Sequence, residues 1–184
     1  ATLLAKKRKN GSAERFAGNY RAVVEMYQHE DVKSLRTALS VLENSKIAAD
    51  HYNITFAYST IGFAHQVQNN MKEAYLHFMT SLKMLPGIKE PWLRGMVYSR
   101  LGNYFVDSGN YERGIQYHQL ALQTRKEDGD HRGIADSYLL MGDTYIRMGD
   151  TGKAEEYFRI SLEIYNQLQD EKRLTESYQF LGGL

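Results

Sequence analysis

The 184-residue sequence contains no cysteine, and that absence excludes disulfide staples, thiolate zinc sites and cysteine nucleophiles together. It fits a reducing compartment, so the expected localisation is cytoplasmic. An excess of either charge is missing too. With 23 Lys and Arg against 22 Asp and Glu, the formal charge is +1, and no global field draws the chain to nucleic acid or an anionic membrane. No apolar run approaches the roughly 18 residues needed to span a bilayer, and the N-terminus lacks the basic-then-apolar order of a secretory signal. Nor do the six histidines gather into a catalytic or metal-binding set. The expectation is therefore a chain with no catalytic residue, no metal and no cofactor. What is present, 42% hydrophobic and 24% charged, is the composition of an ordinary globular protein, either one domain or one repeat array.

The repeat is there. Glycines fall at Gly62, Gly102, Gly142 and Gly182, forty positions apart, each preceded at four positions by Tyr58, Tyr98, Tyr138 or Tyr178 and at one position by Ile61, Leu101, Met141 or Leu181. Further along each copy come Ala74, Gly114 and Ala154, then Phe78, His118 and Phe158, then the pairs Ser81-Leu82, Ala121-Leu122 and Ser161-Leu162. Tyr98, Leu101, Phe105 and Val106 share one face of a helix, and Ile115, His118, Ala121 and Leu122 share one face of a second. Each copy is thus predicted to be a helical hairpin. Glycine inside a helix costs about 1 kcal/mol relative to alanine, so a column of four implies close approach of the paired helix. His118 replaces an aromatic packing residue in its column and reads as a core side chain.

Punctuation agrees with this spacing. Asn69, Gly109 and Gly149 stand where a helix ends in the left-handed conformation, and Asn70, Asn110 and Asp150 follow as N-caps of the second helix. Asp50, Glu90, Asp130 and Asp170 recur at the start of each following first helix, where a carboxylate suits the positive end of the dipole. Pro91 sits in a first turn, where its missing N–H is harmless. Two local strings resemble ligand loops and fail as such. "DGDHRG" at 128–133 begins like a calcium loop, but Leu139 stands where the bidentate Glu is needed. "GDTGKA" from 149 lacks the earlier glycine of a phosphate loop, which here is Arg147. Both are turns. The basic run "AKKRKNGS", 5–12, reads as a solvated flexible arm.

The order Tyr, Leu-Gly, aromatic, Gly-turn, Ala, Phe, Ala-Leu resembles the tetratricopeptide repeat, with Tyr where the family usually has Trp. Residues 55 to 168 hold three clear copies, and "LRTALSVLENS" places Ala38, Val41 and Leu42 on second-helix columns of a diverged copy whose Leu-Gly pair is Arg21-Ala22. The expected organisation is a basic arm at 1–12, a diverged hairpin at 13–52, repeats at 53–90, 91–130 and 131–169, and the first helix of a truncated repeat or cap at 170–184. The family's usual period is about 34 residues. Longer, 40-residue repeats are similar to those of polarity adaptors and bacterial signalling regulators. The resemblance implies an all-α, right-handed superhelical solenoid of antiparallel hairpins that binds a peptide or protein partner in a concave groove lined by first-helix positions.

Mapped onto this chain, the resemblance puts Phe63 and Gln66 in the groove from one repeat, Ser99, Asn103, Val106 and Asp107 from the next, and Asp143, Ile146 and Arg147 from the third, with Phe56, Ser59, Met96, Asp136 and Leu139 alongside. Asn103 can donate to and accept from a ligand backbone, and Arg147 can pair with Asp143 or with an acidic ligand group. The paired basic residues of repeats that clamp chaperone C-termini are absent at the matching positions. Because Tyr178, Phe180, Leu181 and Leu184 would be left uncovered, the chain is expected to be part of a longer protein, or to self-associate through its C-terminal face. Two functional expectations follow: a non-enzymatic recognition module for a peptide or protein, or the sensor or oligomerisation region of a bacterial signalling protein whose output domain lies elsewhere.

Overall fold

The computed structural model describes residues 2–182, with side chains described for 10–175, 177 and 178. Phe180, Leu181 and Leu184 of the expected uncovered face lie outside the described side chains. The described residues form helices and no strand: α1 (Thr2–Tyr27), α2 (Asp31–Ile47), α3 (His51–Val67), α4 (Met71–Met84), α5 (Pro91–Asp107), α6 (Tyr111–Asp128), α7 (His131–Met148), α8 (Thr151–Gln167) and α9 (Glu171–Gly182). They fall into two compact units, residues 1–89 and 90–184.

In both units the helices end by one device. Left-handed residues occur at His29, Ala49 and Asn69 in the first unit and at Gly109, Gly129, Gly149 and Gln169 in the second, with φ between 52° and 81°. The residue after each donates its backbone N–H five residues back, as in Asp50 to Ser45 at 2.9 Å and Asp150 to Tyr145 at 2.9 Å. This is the Schellman closure, and it serves turns between hairpins as well as turns within them. Asp50, Asn110, Asp130, Asp150 and Asp170 then cap the next helix by accepting from the backbone N–H three residues on. Glu90 makes no such bond; there the chain turns through a short 3₁₀ segment, Leu85–Gly87, with Pro86 inside it and Leu85 buried.

Glycine is required where hairpins close. A Cβ on Gly142 would stand 2.5 Å from the Phe158 ring, one on Gly62 2.8 Å from Phe78, and one on Gly102 would collide with His118. Ser81 and Ser161 donate their hydroxyls to the carbonyls of Thr55 and Ala135, each at 3.0 Å, so the small second-helix column also carries a buried hydrogen bond to the first helix. In the first unit Ala22, Ala38, Val41, Leu42, Ile54, Ala57 and Ile61 make one apolar core. Residues 2–12, expected as a flexible arm, are instead the opening of α1. The physical reason is a tertiary anchor. Ser12 and Arg15 both donate to Asp50 at 2.8 Å, and Asn53 donates to the Ser12 carbonyl at 3.1 Å.

Candidate functional site

The first-helix face of the second unit is built from α5 and α7, which lie side by side there. A forty-residue period puts equivalent side chains at the same height on these two helices. Asn103 and Asp143 hold the same repeat position on the two helices, and Asp107 stands beside Arg147. Arg147 Nε donates to Asp143 Oδ2 at 3.1 Å within α7, and Nη1 donates to Asp107 Oδ1 at 3.2 Å on α5. These side chains are about 35–47% exposed, so the pairs set geometry and add little stability. Asn103 is half-buried and forms no side-chain hydrogen bond among the described residues. One turn before it, Ser99 is 8% exposed, and its Oγ has no partner. Asp136, at the other end of the α7 stripe, accepts from the Tyr165 hydroxyl at 2.6 Å and lies 3.5 Å from Arg173 of α9.

Not every expected groove residue faces that way. Val106 is buried, its Cγ2 2.5 Å from where a Gly114 Cβ would stand, because it lies four residues beyond Gly102 on the stripe that closes the hairpin. Ile146 holds the same place after Gly142 and packs on the cluster of Leu139, Ala154 and Phe158. Phe63 and Gln66 belong to the first unit, on α3, where both are half-buried. Around them the face is aromatic. The Phe63 ring lies 6.2 Å from Tyr27, while Phe56 is buried beneath Phe16 and Tyr20 at 5.8 and 6.5 Å, and Ser59 is fully buried. The sequence reading did not anticipate the α1 rings, although Phe16, Tyr20 and Tyr27 recur at near-helical spacing.

Two buried polar features lie behind this face. His118 is 1% exposed with neither ring nitrogen hydrogen-bonded; burial, with a contribution from the Arg125 charge, pulls its pKa down to about 4. It is a neutral ring in a phenylalanine column. Arg125 threads between Gly95 and Gly133 and donates through Nη1 to the Gly133 carbonyl at 3.1 Å and to Ser137 Oγ at 2.6 Å. Burial lowers its pKa, opposed by Asp136, Asp130 and Tyr165. In the first unit, burial raises the Asp50 carboxyl, but hydrogen bonds from Asn53, Ser12 and Arg15 outweigh it and leave the pKa below the ordinary value.

A further periodic feature escaped the sequence reading. Tyr117 stacks on Phe105 at 5.4 Å and 3°, Tyr157 on Tyr145 at 5.4 Å and 5°, and His77 on His65 at 5.5 Å and 3°. The signal was present as rings recurring at 65, 105, 145 and at 77, 117, 157, and it explains as packing several tyrosines that could have suggested a base-stacking surface. Among the described residues no group of three or more His, Cys, Asp or Glu could hold a metal ion. No described helix is long and apolar enough to cross a membrane. The "DGDHRG" and "GDTGKA" strings are the turns around Gly129 and Gly149.

Residues 93–167 match the tetratricopeptide repeat family. No curated protein is a significant match to the chain. Among solved structures, aspartyl phosphate phosphatase F from Bacillus subtilis matches with a TM-score of 0.79 at 19% identity, over 91% of this chain and 44% of its own. A signal transduction ATPase with numerous domains from Pyrococcus horikoshii, which carries a tetratricopeptide repeat sensor, matches at 0.73 and 22% identity, over 92% of this chain and 26% of its own. BtubC from P. vanneervenii matches at 0.65 and 19% identity, over 84% of this chain and 62% of its own. This chain thus spans between 26% and 62% of the length of these proteins. At such identities the likeness is one of fold. The repeat columns and the glycine-closed hairpins agree with the tetratricopeptide repeat match over residues 93–167 and with the helical fold shared with these structures.

Proposed function

We propose that this chain is a recognition module that holds an extended peptide, or an extended segment of a protein partner, along the first-helix face of its second unit. Tetratricopeptide repeats generally mediate protein–protein interaction, and the named neighbours include a signal transduction ATPase with a tetratricopeptide repeat sensor. The observation that carries the reading is Asn103. A half-buried amide with no intramolecular hydrogen bond among the described residues keeps a donor and an acceptor available on a face where Asp107, Asp143 and Arg147 are already paired with one another. An amide so placed can read a ligand backbone without demanding particular side chains. Arg147, by contrast, is engaged with Asp107 and Asp143 and serves to hold α5 and α7 in register.

The test is selection of a displayed random dodecapeptide library on the full chain and on Asn103→Ala, with circular dichroism confirming that both are folded. Peptides enriched by the wild type should bind the variant about tenfold or more weakly, the scale of a lost hydrogen-bonded contact plus its unpaired ligand group. Equal binding to both would refute the reading. The sensor reading, in which the same face reports to an output domain elsewhere, is supported by the repeat sensor of the Pyrococcus horikoshii protein. It predicts such a domain in the parent gene.

A further inference from the structure

Three of the described hairpins carry a stack of three rings across their first and second helices, and one of them differs from the others in charge as well as in ring type. In the second unit the stacks are Tyr98–Tyr117–Phe105 and Tyr138–Tyr157–Tyr145, with neighbouring centroids 5.4 to 6.4 Å apart. A cation covers the last ring of each, Arg113 over Phe105 at 5.3 Å and Lys153 over Tyr145 at 5.0 Å. The α3–α4 hairpin of the first unit builds the same stack as Tyr58–His77–His65, at 5.9 and 5.5 Å. Two of its rings can therefore take up a proton. At the repeat position of Arg113 and Lys153 this hairpin has Glu73. The charge is thus reversed where the rings are imidazoles.

The groups around His77 pull in opposite directions. α3 presents His65 and Tyr58, and α2 presents Lys46, whose Nζ lies 5.3 Å from the centroid of the Tyr58 ring. Glu73 stands one turn before His77 on α4, the spacing at which a carboxylate pairs with a cation. Burial first, then His65 and Lys46, lower the His77 pKa against an opposing pull from Glu73. Inside the stack the ring is held neutral. His65 Nδ1 is buried without a hydrogen-bond partner among the described residues, so a proton gained there would meet no acceptor.

We propose that the His65–His77 stack is an acid-operated latch on the α3–α4 hairpin: as pH falls below neutrality the rings take up protons, repel one another and Lys46, and His77 leaves the stack for Glu73. The hairpin then loosens along this edge. The equivalent rings, Phe105 with Tyr117 and Tyr145 with Tyr157, gain no charge in this range and stay closed. Because the His77 pKa is lowered on folding, its contribution to stability is full above pH 6.5 and is lost as pH falls through the folded value. His65 lies two residues from Phe63, whose ring packs on Tyr27 at 6.2 Å, so loosening of α3 reaches the aromatic first-helix face of this unit.

The test is amide hydrogen exchange of the full chain at pH 7.5 and pH 5, corrected for intrinsic rates, in wild type and in His65→Phe/His77→Tyr, which installs the rings of the middle hairpin. In the wild type, protection over residues 51–84 should fall about fivefold or more between the two conditions, the scale of linkage to one partly buried histidine. The double variant should lose most of that fall. A second readout uses the wild type alone: an NMR contact between the His65 and His77 rings should be present at pH 7.5 and absent at pH 5, and the His77 ring should titrate below the ordinary histidine midpoint. No fall in the wild type, an equal fall in the double variant, or a ring-to-ring contact that persists at pH 5 overturns the inference.

Discussion

Replacing His118 by phenylalanine should stabilise the second unit and abolish most of its loss of stability in mild acid. The ring lies against Gly102 as Phe78 lies against Gly62 and Phe158 against Gly142, so the pocket already has the shape of a benzyl group. Neither imidazole nitrogen has a hydrogen bond, and one unsatisfied buried polar group costs about 1–3 kcal/mol. At neutral pH the expected gain is therefore about 1–2 kcal/mol, part of the penalty being recovered because the apolar ring also buries more surface. The pH term is separate. A histidine with a folded pKa of about 4 and an unfolded value near 6.5 binds fewer protons folded than unfolded between those values. Its favourable contribution is full above pH 6.5 and is lost as pH falls toward 4. At pH 5 the loss is about 2 kcal/mol by linkage.

Trp92, the single tryptophan, lies on α5 in the second unit, so urea unfolding followed by its fluorescence reports on the unit that contains His118. Wild type and His118→Phe would be compared at pH 7.5 and pH 5. The difference in stability between the two proteins should widen by about 2 kcal/mol at the lower pH. A variant no more stable than wild type at pH 7.5, with the same fall at pH 5, would refute the account of His118 as a neutral, unsatisfied core side chain.

Two other perturbations follow from the turns and from the first-unit anchor. Ala49 and Gln169 hold left-handed φ values of 52° and 54° with a Cβ, so Ala49→Gly and Gln169→Gly should each stabilise by about 0.5–1 kcal/mol in thermal or urea unfolding, despite the added freedom of glycine in the unfolded chain. Unchanged or lowered stability would contradict the Schellman closure at those turns. Asp50→Ala removes the α3 cap and the acceptor for Ser12 and Arg15 together, so it should destabilise by about 1–2 kcal/mol, read as earlier loss of hydrogen-exchange protection over residues 10–27 than over 90–175. Since the Asp50 pKa is lowered on folding, its contribution is present above the ordinary carboxylate range and disappears as pH falls through the folded value. The variant should show less acid sensitivity than the wild type.

Much of this architecture could be read from spacing. A column recurs at forty residues because equivalent positions in stacked hairpins meet equivalent environments, and Gly102 or Phe158 declares its environment by size alone. Asn69, Gly109 and Gly149 were legible for the same reason, since few residues tolerate a left-handed turn. His29, Ala49 and Gln169 hold the same conformation and were not legible. Their side chains do not favour it; the closing hydrogen bonds and the following helix impose it.

The candidate site divides along a similar line. That Asp143 and Arg147 could pair followed from their separation of one helical turn, a local fact. That Arg147 also reaches Asp107 on α5 depends on two helices lying side by side. Val106 shows the limit of a face assigned by resemblance, because one step of about 100° around the helix turns a side chain from the groove into the hairpin.

By itself the sequence determined the repeat, its helical hairpins, most of its turns and the residues that close them, because these depend on side-chain size and backbone preference at fixed spacing. Only the tertiary structure decided which polar groups are engaged and which remain available. Asn103 and Ser99 look no different in the sequence from Asn110 and Ser108, which cap a turn and bond back to a carbonyl. Whether a polar group finds a partner depends on what a neighbouring helix brings within about 3 Å of it.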